Sequence, residues 1–201
     1  MNIRPVAADC AALTAGCVFP LSLQPFGYWM IGVVSVALFF VSVQEGSVSR
    51  TLARFYLYNL GMFLTGVSWI YVSIHEHGGA SPLLAGFLVV LFVLAYSLIA
   101  LPQGYVYAAF LRSSPLGNIV GFSALWVLQE WTRAWFLTGF PWLFLGYGFL
   151  GTYLDGYAPI AGVFGVSLVA CLVSACVAAG ILDRRVVPIA PLLVPSLSPG
   201  E

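Results

Sequence analysis

Charge is nearly absent from this chain: seven Arg and seven Asp or Glu are spread over 201 residues, and there is no Lys. With 7% charged and 61% hydrophobic residues, it is far from the ~25% charged composition of a soluble domain. A protein folded in water needs polar side chains over much of its exterior, and this one cannot supply them. The expected solvent is therefore hydrocarbon. Six spans of about 20 residues would use about 120 positions and leave about 80 for ends and loops, so no sizeable soluble domain fits. Zero net charge and the lack of a basic cluster exclude nucleic acid as a partner, because phosphate binding needs concentrated Arg or Lys.

The apolar runs fall at about 6–23, 28–43, 55–74, 82–111, 117–136 and 160–182. Each is too long for a buried strand. They predict an all-α integral membrane protein, a polytopic bundle of six transmembrane helices. The fourth run exceeds one bilayer thickness and should kink near Pro102. A further apolar run at 186–195, broken by Pro188, Pro191 and Pro195, reads as a truncated seventh span. Basic residues collect on the cytoplasmic side. With the N-terminus inside, Arg4, Arg50, Arg54, Arg112, Arg184 and Arg185 are all cytoplasmic, and only Arg133 lies toward the outside. The outer loops are then 24–27, 75–81 and 137–159.

Thr14-Ala15-Gly16-Cys17 is similar to a lipoprotein cleavage box, but Asp9 and the early placement of Leu13 argue against one. A small-residue helix face that admits a neighbour is the simpler reading. Cys10, Cys17, Cys171 and Cys176 all lie in apolar runs without paired spacing, which fits small core residues and neither a zinc site nor a disulfide framework. His75-Glu76-His77 has i, i+2 spacing, which does not bring two imidazoles to one helix face. No metal or cofactor is expected there, and a solvated turn beside the interfacial anchors Trp69 and Tyr71 is the plain alternative.

Glu130 and Arg133 are three apart, so on a helix they share a face and can form an ion pair. At hydrocarbon depth such a pair is costly enough to suggest a polar pocket open to the outer leaflet, where Arg133 could meet a lipid phosphate. A helix-orienting pair is the other reading. Thr138-Gly139-Phe140-Pro141-Trp142 should end that helix in an aromatic interfacial turn. The glycine-rich run from Leu150 to Ser167 lacks any Lys and is not a phosphate loop. Its Gly162 and Gly165 could let a helix or a lipid chain approach.

Several of these stretches, in order, resemble the membrane part of the bacterial apolipoprotein N-acyltransferase family. They are Leu23-Gln24-Pro25-Phe26-Gly27-Tyr28-Trp29, the run from Gly66 to His75, Thr138 to Trp142 with Gly146-Tyr147, and Gly156-Tyr157-Ala158-Pro159 with Gly162-Val163 and Gly165. The resemblance implies a multi-pass protein of the bacterial inner membrane, its N-terminus cytoplasmic. It also implies transfer of an acyl chain from a phospholipid donor to the N-terminal diacylglyceryl-cysteine of an apolipoprotein. In the family, a periplasmic nitrilase-type domain inserted before the last span supplies Glu as base, Lys to stabilise charge and Cys as acyl-accepting nucleophile. This sequence has no Lys, keeps its Cys within the spans, and stops at Glu201, before such a domain. None of those catalytic residues can be assigned here, and the chain is expected to be inactive alone. The resemblance leaves Trp142, His75, Glu130, Arg133 and Tyr157 as candidates for the lipid or substrate route. The alternatives are a non-catalytic scaffold or lipid-binding remnant, working with a separately encoded nitrilase-like chain, and a transporter, for which one ion pair and no visible repeat give little support.

Overall fold

A computed structural model describes residues 5–183, and every regular element among them is helical. The α-helices are α1 (Pro5–Val18), α2 (Trp29–Ser42), α3 (Val48–Gly66), α4 (Trp69–Val72), α5 (Pro82–Tyr96), α6 (Leu101–Val106), α7 (Phe122–Trp135) and α8 (Ala158–Asp183). Local chemistry sets several ends. The Ser47 hydroxyl accepts from Arg50 N at 3.3 Å and caps α3, while Ser81 does the same for α5 through Leu84 N at 3.3 Å. Pro82 at the first position of α5 has no N–H to leave unsatisfied.

Among the described residues, three helices are long and apolar enough to cross a membrane: Pro5–Ser22, Pro82–Leu111 and Tyr153–Leu182. A fourth results if Val48–Gly66 and Trp69–His77, bent by 51° at Gly66–Trp69, count as one broken span. α2 is apolar but only 14 residues long, and α7, also 14 residues, carries Glu130 and Arg133. The long fourth run changes helical winding in the 3₁₀ turn Ser97–Ala100, just before Pro102. The run at 186–195, with Arg4, Arg184 and Arg185, lies outside the described residues.

α1 and α3 pack through small residues. Ala8, Ala12, Ala15 and Gly16 are buried on α1. A Cβ on Gly16 would overlap the Tyr58 carbonyl of α3, and one on Gly61 would overlap the Leu13 carbonyl of α1. Each helix therefore uses a glycine where the other's backbone passes, the close approach that dispersion-driven packing in lipid needs. Ser35 of α2 ties this pair together, donating to Ala15 O at 2.7 Å and lying 2.9 Å from the Tyr58 hydroxyl. Beneath it, Phe39 stacks on Tyr58 with centroids 4.3 Å apart and meets Phe55 edge-on at 4.9 Å. Gly162 and Gly165 do not serve such packing. Gly162 has φ +63° and breaks the helical path near the start of α8, with no described atom close to where its Cβ would be.

One end of the bundle is tied by charge. Asp9 accepts from Arg50 at 2.7 Å and from Arg54 at 2.8 Å. Buried Arg54 also donates to the Ser42 and Glu45 carbonyls at 2.7 and 2.6 Å, closing the end of α2. Arg112 donates to Thr51 Oγ1 at 2.9 Å and to Gly46 O at 2.9 Å. Gln44, Tyr107 and Asn118 close a ring of hydrogen bonds beside them, at 3.0, 2.5 and 2.7 Å. The acidic residue that interrupts the first apolar run is thus the counter-ion of two arginines on α3.

Candidate functional site

The opposite end opens into a cleft of about 760 Å³. Three separate stretches of chain meet there: Pro20 with Leu23 to Phe26, Thr65 to Trp69, and Pro141 to Leu143 with Tyr147 and Leu150. The walls are mainly apolar. Trp142 is half-exposed and sits 5.6 Å from Trp69 and 5.1 Å from Phe140, measured between ring centroids. Trp69 in turn lies parallel to Phe140 at 6.4 Å. Of the charged residues described, none lines the cleft.

The segment bearing Trp142 is unwound by design of its sequence and held from below. After α7 the chain reverses through Leu137 (φ +51°), Thr138 (φ +73°) and Gly139 (φ +88°), and Leu143 again has φ +61°. For residues with a Cβ, each such conformation costs about 1–3 kcal/mol and persists only where surroundings impose it. Phe140 N donates to Arg133 O at 2.7 Å. The Phe140 ring is clasped by Phe92 at 5.1 Å and Tyr96 at 5.6 Å.

Glu130 and Arg133 complete the hold. The Glu130 carboxylate accepts from Trp126 Nε1 at 2.9 Å and from Leu145 N at 2.7 Å. The Arg133 guanidinium donates to Trp142 O at 3.2 Å and Leu143 O at 3.3 Å, and lies over the Phe144 and Phe63 rings at 5.2 and 5.6 Å. They do not form the ion pair that their spacing permits: among the described residues no salt bridge joins them, the ones present being Asp9 with Arg50 and Arg54 and His75 with Glu76. Exposed by only 1% and 2%, they also do not open to the outer leaflet, and Arg133 is not presented to a lipid phosphate. An unwound segment offers backbone N–H and C=O groups that helices would satisfy internally, and these compete for the two charges. Both residues line a narrow void with Tyr58, Asn59 and Gln129, and Gln129 Nε2 of α7 donates to Asn59 Oδ1 of α3 across it.

The remaining candidates stand apart from the cleft. His75 lies in the π-helical turn Ser73–His77, where its Nδ1 is 2.8 Å from Ala80 O. A carbonyl can only accept, so Nδ1 carries the proton. Its Nε2 is 3.7 Å from Glu76 Oε1. Tyr157 is half-exposed at the end of the 3₁₀ turn Tyr153–Tyr157, leading into α8. Trp69, an interfacial anchor by sequence, also forms a cleft wall. Leu143 has no signature in sequence, because a leucine does not announce a left-handed backbone.

Fold and cleft together define a helical integral membrane protein with an aromatic-walled apolar cleft at one end of its bundle. The chain belongs to the apolipoprotein N-acyltransferase family: residues 15–176 match the model of the apolipoprotein N-acyltransferase N-terminal domain. It is 46% identical over 166 residues to the apolipoprotein N-acyltransferase of Pseudomonas syringae pathovar tomato, covering 82% of this chain and 33% of that protein. The enzyme of the same name from Azotobacter vinelandii is 40% identical over 166 residues, again 82% of this chain and 32% of the relative. That of Coxiella burnetii is 38% identical over 168 residues, 83% of this chain and 35% of the relative. The chain thus spans about a third of the length of the curated relatives it matches.

Proposed function

We propose that this chain forms the lipid-facing membrane portion of an apolipoprotein N-acyltransferase. In that enzyme an acyl chain passes from a phospholipid to the N-terminal diacylglyceryl-cysteine of an apolipoprotein. In this reading the cleft beside Trp142 receives an acyl chain from the outer leaflet, and Trp69, Phe140 and Trp142 give it an apolar wall. The observation that carries the reading is convergence: three of the stretches that resemble the family, around Gln24, Trp69 and Trp142, line one cleft. Acyl chains fit such a wall because it has little polar surface to desolvate.

The same reading sets the chain in the bacterial inner membrane with six spans, the run at 186–195 beginning a seventh, and the N-terminus in the cytoplasm. Clustering of Asp9, Arg50, Arg54 and Arg112 at one pole and the aromatic cleft at the other supports that orientation, since arginines favour the cytoplasmic face. His75 and Tyr157 would stand at the outer surface on the approach to the cleft.

The test is photo-crosslinking with phosphatidylethanolamine that carries a diazirine in one acyl chain, using the chain reconstituted in vesicles. Adducts are expected at Trp142, Trp69 and Leu143, and to be competed by unlabelled phosphatidylethanolamine. Labelling confined to lipid-exposed positions of α5 and α7, such as Phe87 or Trp131, would refute the acyl-chain assignment.

A further inference from the structure

We infer that Glu130 and Arg133 are positioning residues that act through backbone hydrogen bonds as a latch, holding the unwound segment from Trp142 to Leu145 and so fixing the wall of the cleft. Two charged side chains buried in α7, one turn apart, both bond the same short piece of chain, Glu130 also accepting from Trp126 of its own helix. The carboxylate holds the Leu145 N–H, and the guanidinium holds the Trp142 and Leu143 carbonyls. The polarity is matched in both cases: an acceptor faces an N–H and a donor faces carbonyls, so the two residues cannot exchange places. Between the held groups lies Leu143 with its left-handed backbone, a conformation that needs outside restraint. The remaining Glu130 Oε2 and Arg133 Nε have no partner among the described residues, so each charge bonds the loop and neither bonds the other. Helical spacing suggests an ion pair; the geometry assigns a clamp on the loop.

The latch is independent of what occupies the cleft; its consequence for acyl chains rests on the reading proposed above. Hydrogen–deuterium exchange of the full chain in detergent, followed by peptide, separates the two. Glu130→Leu and Arg133→Met remove the acceptor and the donors while keeping volume. Each is expected to speed exchange of the 141–147 segment by about tenfold or more while α1 to α3 keep parental protection, because local opening rises as its restraints go. Glu130→Gln keeps an acceptor without charge and should stay within about twofold of the parent. Trp142→Phe should leave exchange unchanged, since the latch holds the carbonyl and not the ring.

The double exchange Glu130→Arg with Arg133→Glu separates a latch from an ion pair. A latch predicts fast exchange in the double variant and parental exchange in Glu130→Gln, whereas an ion pair predicts the reverse. Should the leucine and methionine variants fail to fold, this comparison alone decides. Parental protection of the segment in both apolar variants, or equal loss throughout α3 and α7, would overturn the inference. If the latch holds but the photoreactive phospholipid labels nothing in the cleft, only the acyl-chain reading fails.

Discussion

Asp9 carries more of the fold than its place in an apolar run suggests. Its two oxygens serve Arg50 and Arg54, and Arg54 is 3% exposed, so removing the carboxylate strands a buried charge. Asp9→Leu is expected to destabilise by about 3 kcal/mol, the cost of breaking a buried pair, and Asp9→Asn by less, because an amide oxygen still accepts. Thermal unfolding in detergent measures both. Trp142→Ala removes an aromatic face that meets Trp69 and Phe140. It should lower acyl-chain crosslinking in the cleft by about tenfold, as expected for a binding-site aromatic, with little change in unfolding temperature because the ring is half-exposed. The presence of Glu130 and Arg133 as buried, costly charges was legible from the sequence, but their partners were not. An i, i+3 spacing reports which side chains share a helix face and is silent about a loop returning from ten residues downstream.

At the scale of elements, the contact between α1 and α3 depends on two glycines that face each other's backbone. Gly16→Ala or Gly61→Ala puts a Cβ into a carbonyl that no side-chain rotation can clear. Each should cost about 2–3 kcal/mol, at the upper end for overpacking. Gly156→Ala, where no described atom lies within 4 Å, should fall within about 0.5 kcal/mol of the parent. Unfolding curves of the three variants side by side check this. The small-residue face at Thr14 to Cys17 could be read from sequence because small side chains have few other uses in lipid, while its extension to Ala8 and Ala12 emerged only in the packed helix. Gly162 could not be read this way, since a glycine looks the same whether it serves a close approach or a positive φ. The long fourth run was also legible, being an uncharged stretch with a proline inside. The fifth run, read as one span at 117–136, is divided into the π-helical turn Gly117–Gly121 and the 14-residue α7, whose exposed face carries Leu128, Trp131 and Trp135.

At the scale of the molecule, two poles are built from different chemistry. One is arginine-rich and closed by hydrogen bonds, and the other is aromatic and open. Alkaline phosphatase fused after Gly46 should be inactive and after Gly79 active in living cells, because the enzyme works only outside the cytoplasm; the opposite pattern would invert the orientation. The family motifs were visible one by one in the sequence, while the cleft they share was not, since it exists only when α1, α3 and the loop after α7 come together. The central claim is that this chain supplies the lipid-facing portion of an apolipoprotein N-acyltransferase. Its most direct test replaces the matching third of the Pseudomonas syringae relative with this chain, in cells depleted of their own enzyme, and weighs the N-terminal peptide of a model lipoprotein by mass spectrometry. The account predicts a triacylated peptide, reverting toward the diacylated form when Trp142→Ala is introduced. A chimera that inserts and accumulates normally yet leaves the peptide diacylated would contradict it.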